Sequence, residues 1–214
     1  MLESCNVKNH ALNELLLFEP HNMLISGITG CGKTMFILDL IEKYYYKEYN
    51  YIIIFCPTFF INKTYDERDW IYNDNGVIII PPSAVKKDLD SVLEFVTETY
   101  SGTHTLFIID DCANLGDTKK KVSELCNLAF SGRHHNITVC VINQKYNSIV
   151  KDFRENIKVL ILFCNKDKRA MKQALEENDI IPEEKRREVI ESLNNKKGSK
   201  LILRLEPPCD YLVV

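Results

Sequence analysis

Residues Gly27-Ile28-Thr29-Gly30-Cys31-Gly32-Lys33-Thr34 follow the spacing G-x-x-x-x-G-K-[ST]. Each residue type in that spacing has a chemical use. Glycines let the backbone wrap so that several N–H groups point at one anion. A lysine after the last glycine brings a cation to the outer phosphates of a nucleotide, and the hydroxyl beside it suits Mg²⁺. The expectation is a cradle for ATP over Gly27 to Thr34, with Met35 following in the first helical turn. Lys33 would reach the terminal phosphates and Thr34 would hold the metal. The flanks agree. Met23-Leu24-Ile25 suits a buried strand, and Met35 to Lys43 has apolar residues at helical spacing. The helix would add the positive end of its dipole to the cradle.

A second set of polar residues stands at the ends of other apolar runs. Leu106-Phe107-Ile108-Ile109 ends in Asp110-Asp111. This resembles a Walker B strand, with Asp110 holding Mg²⁺ and Asp111 polarising an attacking water. Many such sites place Glu where Asp111 stands. Ile137 to Ile142 ends in Asn143-Gln144, where the Gln144 amide would sense a γ-phosphate or hold the water. Arg133 precedes that strand, at the edge away from its own phosphate loop, so it would serve a neighbouring subunit as an arginine finger. Arg154, in Asp152-Phe153-Arg154-Glu155-Asn156, is the second candidate for that role. The catalytic set expected is therefore Lys33, Asp110, Asp111, Gln144, Arg133 and Arg154.

These positions need a scaffold that brings strand ends together. Tyr51 to Cys56, Val77 to Ile80, Thr105 to Ile109, Ile137 to Ile142 and Val159 to Phe163 are near-continuously apolar. Such runs mark strands buried on both faces of a parallel sheet. Helical spacing recurs between them, over Leu89–Tyr100, Val122–Phe130, Ala170–Glu177 and Glu183–Leu193, the last after Pro182. Leu201 to Leu205 suggests a final strand, against which Tyr211 to Val214 would pair back. The fold class is α/β, a mostly parallel sheet flanked by helices, and ligands bind at the carboxyl edge of such sheets. A single domain over 1–214 is expected, with a short N-terminal extension over 1–20 and C-terminal helices and strand over 167–214. Residues 62–75, which hold the lone tryptophan among charges, show little periodicity and suggest a surface excursion.

The chain has 214 residues, 45% of them hydrophobic, enough for one domain with a proper core. A formal net charge of -3 excludes a general positive field for nucleic acid, leaving a local patch or a pore built from several copies. If the chain handles nucleic acid, Lys119-Lys120-Lys121 is the best run for that contact, with Lys86-Lys87 second. The eight cysteines are scattered without a C-x-x-C pair, which argues against a metal site or disulfide framework and for a reducing compartment. Cys31 is the exception, because a thiol at a helix N-terminus can have a lowered pKa, although the role expected of it is filler at a tolerant position of the loop. No apolar run reaches the length of a membrane span, and no signal peptide is visible, so a soluble intracellular protein is expected.

The order of motifs carries a resemblance: the phosphate loop, the strand ending in Asp110-Asp111, Arg133-His134 leading to a strand that ends in Gln144, and Arg154-Glu155-Asn156 leading to an apolar strand with Phe163. It resembles the FtsK/HerA superfamily of DNA-pumping ATPases over Met23 to Phe163. Within it, the chain is similar to the genome-packaging ATPases of the poxvirus, virophage and Polinton-like branch. The resemblance implies ATP-driven translocation of double-stranded DNA into a preformed capsid, with ATP and Mg²⁺ as cofactors. It implies a homo-oligomeric ring, pentamer or hexamer, a capsid vertex protein as partner and no membrane insertion. The assembly site in the host cytoplasm or nucleus would be its location, with association to the virion. Two alternatives stand beside it. One is a nucleotide or nucleoside kinase, with Lys185-Arg186-Arg187 in a phosphate lid. The other is a non-catalytic ATP-binding assembly component.

Overall fold

The computed structural model describes residues 12, 14–112, 123–165, 167–195 and 198–214. Its strands are β1 (Asn22–Ser26), β2 (Tyr51–Phe55), β3 (Val77–Ile79), β4 (Thr105–Asp110), β5 (Ile137–Asn143), β6 (Val159–Phe163), β7 (Lys200–Arg204) and β8 (Asp210–Val213). They form one sheet in the order β3-β2-β4-β5-β1-β6-β7-β8. The pairings from β3 to β6 are parallel, whereas β7 and β8 add antiparallel pairs at one end.

Alternation along each strand explains why the runs are apolar throughout, since successive side chains point to opposite faces. Leu24, Phe107, Val139 and Leu160 enter one core, and Met23, Ile25, Ile108 and Ile161 enter the other. The helices are α1 (Lys33–Leu40), α2 (Lys63–Asp66), α3 (Asp69–Asn73), α4 (Pro82–Lys87), α5 (Leu89–Tyr100), α6 (Ser123–Ser131), α7 (Lys151–Glu155), α8 (Lys168–Glu177) and α9 (Glu183–Asn195). The first core packs under α4 to α9, through residues such as Leu93, Leu128, Phe153 and Ala174. The second packs under α1, α2 and α3, through Ile37, Leu38, Tyr65 and Ile71. Capping fixes several helix starts. Asp88 accepts from the Ser91 amide at α5, and Asp167 accepts from the Arg169 and Ala170 amides at α8.

Three features differ from the sequence expectations. β3 is half-buried along its length, because it is the sheet edge and pairs with β2 alone. Leu15, Leu16 and Leu17 are buried in the second core, so the end of the 1–20 extension belongs to the packed domain. The 62–75 stretch is no surface excursion. It folds into α2 and α3, and Tyr65 and Ile71 are buried. Among the described residues, no helix is long and apolar enough to cross a membrane.

Candidate active site

The loop after β1 is grafted onto both neighbouring strands. Gly27 N donates to Asn143 O at 3.2 Å, and Ile28 N donates to Cys164 O at 3.4 Å. Gly27 is required by close approach, because a Cβ there would lie 2.5 Å from Phe163 Cβ. Gly32 is required by conformation, since its φ of 98° turns the chain left-handed to start α1. Lys33 Nζ donates to the carbonyls of Gly27 at 2.7 Å and Ile28 at 3.0 Å, which holds the ammonium across the loop. Cys31 is filler in the loop, and the alternative of a lowered thiol pKa is corrected. Its side chain turns into the core beside Gly27, and burial pushes the thiol up, outweighing the nearby Lys33 charge. It contributes backbone to the loop, not a reactive thiolate.

The strand order places the remaining groups. β5 lies between β1 and β4, so its end stands between the loop and the two carboxylates. Thr34 Oγ1 donates to Asp110 Oδ2 at 3.0 Å, joining the loop to the Asp-Asp strand. Tyr65 donates its hydroxyl to the same Oδ2 at 2.8 Å. Asp110 is buried, and burial pushes its carboxyl up, opposed by the hydrogen bonds from Tyr65 and Thr34. Burial, and then the Asp110 charge, push the Tyr65 phenol well above its usual range, so it keeps its proton and remains a donor. Asp111 turns the other way. Its φ of 54° lifts it off the strand, and its Oδ1 accepts from Gln144 Nε2 at 3.3 Å. Asn143 is used internally, since its carboxamide bonds Ser148 Oγ at 2.9 Å and the Gln144 amide at 2.6 Å.

These groups line a cleft of about 370 Å³: Gly30, Lys33 and Thr34 from the loop and α1, Asp110, Asp111 and Gln144 from the strand ends, and Thr58, Asn62 and Thr64 from the segment after β2. Its donors fit Mg²⁺. A hydroxyl and a carboxylate oxygen 3.0 Å apart are hard oxygen ligands, and Mg²⁺ is usually held by one or two carboxylates together with substrate phosphates. A larger cleft of about 540 Å³ lies at the opposite edge, by Arg154 and Glu177, where cation and anion are already paired. The smaller cleft is the candidate site because its polar groups converge on open space.

Other expected residues lie apart from it. Arg154 is a correction. Its guanidinium is buried, pairs with Glu177, donates Nε to Ile149 O at 3.1 Å and lies 4.9 Å from the Tyr146 ring centre. A finger must present N–H groups to another subunit, and Nε and Nη1 of Arg154 are taken up within the fold. Arg133 stands exposed on the turn Gly132–His135, before β5 and at the edge opposite the loop. Lys86 and Lys87 are exposed at the end of α4, whereas Lys119, Lys120 and Lys121 lie outside the described residues. In the suggested lid, Arg186 bonds Asp179 and the Ile181 carbonyl, and Arg187 bonds Glu191 within α9. Asn62, Thr64 and Tyr65 were missed, for they sit in the stretch without periodicity, and Thr58 was missed just before it. The Asn62 cap on α2, accepting from Thr64 N at 3.2 Å, was the one local signal available.

Comparisons with known proteins give the kinship and the fold of the chain. The family model described as Poxvirus A32 protein matches residues 8–205. The DNA packaging protein OPG160 of Variola virus is 28% identical over 159 residues, covering 72% of this chain and 57% of the relative. That of Monkeypox virus is 26% identical over 162 residues, covering 73% and 52%. The chain thus spans little more than half the length of the curated relatives it matches. Among solved structures, the genome packaging NTPase B204 of Sulfolobus turreted icosahedral virus 2, in complex with AMPPCP, superposes with a TM-score of 0.62 at 15% identity. That match covers 92% of this chain and 98% of the other. The pCW3 conjugation coupling protein TcpA, with ATPγS, superposes with a TM-score of 0.59 at 17% identity, covering 92% and 60%. These two likenesses establish the fold, and the family match over nearly the whole length establishes kinship: the chain belongs to the poxvirus A32 protein family.

Proposed function

We propose that this chain is the ATP-hydrolysing subunit of a motor that drives double-stranded DNA into a preformed capsid. It would work as a homo-oligomeric ring against a capsid vertex protein. The observation that carries hydrolysis is the 3.0 Å contact between Thr34 Oγ1 and Asp110 Oδ2, which unites the phosphate loop and the acidic strand at one point. The DNA half of the proposal is supported by the name of the viral relatives, DNA packaging protein.

The residues divide the work as follows. Backbone N–H groups from Gly30 to Thr34 and the start of α1 bind phosphate oxygens. The Lys33 ammonium exchanges the carbonyls of Gly27 and Ile28 for phosphate oxygens, which carry full charge. Thr34 and Asp110 would hold Mg²⁺, which when bound neutralises charge on the β- and γ-oxygens. Asp111 accepts the proton of the water that attacks the γ-phosphorus, as the bond to the ADP oxygen breaks. The Gln144 amide, bonded to Asp111 Oδ1, orients that carboxylate and the water beside it. Three such effects, positioning, charge stabilisation and base action, suffice for phosphoryl transfer to water.

Mass measurement combined with an ATPase assay, with and without double-stranded DNA, tests the proposal. The expected result is a multimer whose turnover rises with DNA and is abolished by Lys33→Ala or Asp110→Asn. A phosphorylated product from nucleosides or nucleoside monophosphates would establish a kinase instead. Nucleotide binding without turnover in the assembled, DNA-bound protein would establish a non-catalytic component.

A further inference from the structure

We propose that Tyr65 is a positioning residue for the divalent cation, its buried hydroxyl fixing Oδ2 of Asp110 from a segment remote in sequence. This rests on the reading that Thr34 and Asp110 hold Mg²⁺ for ATP hydrolysis. Tyr65 lies on α2, between β2 and β3, and is fully buried with its ring 4.7 Å from that of Phe59. Its hydroxyl meets Asp110 Oδ2 at 2.8 Å. The same oxygen accepts from Thr34 Oγ1. Those two donors are not equivalent. Thr34 can ligate a cation through a lone pair and still donate its O–H to Asp110, so its position is tied to the cation. Tyr65 has no such second duty, so it is the donor that holds the carboxylate in place throughout.

A second contact strengthens the assignment. Arg68, between α2 and α3, bonds Asp39 of α1 and Glu42 of the turn that continues it, the latter at 2.5 Å. The segment is therefore fastened at Asp110 and also to the helix that begins with Lys33 and Thr34. It sets the separation of the two groups that would hold the cation. Side chains that orient a metal-binding carboxylate are worth roughly 10–100-fold in metal affinity.

The test titrates Mg²⁺ against the full chain at fixed ATP, reading a fluorescent ATP analogue and turnover in parallel. Tyr65→Phe keeps the ring and removes only the hydroxyl. The expected result is affinity in EDTA within about twofold of wild type and a Mg²⁺ half-saturation raised about 10-fold. Arg68→Ala reaches the same readout without touching the buried ring, and a smaller rise is expected. Ile71→Val, in the same segment, loosens packing alone and should leave the half-saturation unchanged. An unchanged Mg²⁺ half-saturation in Tyr65→Phe overturns the proposal, whatever Arg68→Ala does, as does an equal rise in Ile71→Val. A wild-type protein whose nucleotide binding and turnover ignore Mg²⁺ overturns the underlying reading as well. A Mg²⁺-dependent wild type matched by Tyr65→Phe removes Tyr65 alone.

Discussion

Asp110 and Asp111 are adjacent in sequence and occupy opposite environments. Asp110 completes β4 and is buried at 4% exposure, held by two hydroxyl donors. Asp111 leaves the strand with a left-handed φ of 54°, a conformation that costs a residue other than glycine about 1 kcal/mol or more and recurs at functional sites. The turn directs one carboxylate inward toward Thr34 and the other toward Gln144 at the mouth. A metal ligand and a base need this division. Asp111→Asn preserves shape, keeps an acceptor for Gln144 and tolerates the left-handed backbone. ATP binding should therefore persist while turnover falls by about 10²–10⁴. Nucleotide titration beside an ATPase assay checks both halves, and a variant that turns over normally would move proton acceptance to another group. The two aspartates were legible in the sequence because strand and acids are contiguous. Arg154 was misread because its partner, Glu177, lies 23 residues away on α8, and no local pattern announces a long-range ion pair.

At the scale of elements, the strands were legible because burial on both faces demands unbroken apolar runs. The longer helices were legible through their apolar stripes. α2 and α3 were not, being four and five residues long, too short to show a period. They are held by long-range contacts from Tyr65 and Arg68. The N-terminal edge of the sheet was also illegible, since its polar residues look like loop. There, Asn22 Nδ2 donates to Ala129 O at 2.8 Å and Asn156 O at 3.1 Å, pinning β1 to the ends of α6 and α7. Beside it, burial holds the His21 imidazole down at about 4, against the opposing pull of the Glu19 carbonyl and the Glu206 charge and with help from Lys158 and His104. The folded state thus refuses a proton that the unfolded state accepts below its value of 6.5. Stability from this group is complete above that value and is lost as pH falls toward the folded pKa. His21→Leu removes the titration. Urea unfolding should show the wild type losing about 2 kcal/mol more than the variant between about pH 7 and about pH 5. Parallel losses in the two proteins would place the acid sensitivity elsewhere.

For the whole molecule, the decisive relation is between the two edges of the sheet. The candidate cleft occupies the carboxyl edge, with Lys33, Asp110, Asp111 and Gln144. Arg133 stands at the amino edge of β5, exposed and without a side-chain partner among the described residues. The sheet separates it from its own cleft, so any contact it makes with a γ-phosphate must be to a neighbouring copy. The proposed ring gives that neighbour, and an arginine supplied in trans is worth about 10³–10⁵ in turnover. A chain with Arg133→Ala should bind ATP normally and hydrolyse it poorly, because its cleft is intact and its neighbour's finger is missing. A chain with Lys33→Ala should lose its own cleft and keep its arginine. Mixed, the two form interfaces where the intact cleft of one meets the intact arginine of the other. Turnover of the mixture should therefore exceed that of either variant alone and peak near equal proportions. Native mass measurement of the same samples would confirm that the variants co-assemble. Co-assembly with no recovery of turnover would exclude Arg133 as the residue acting between subunits.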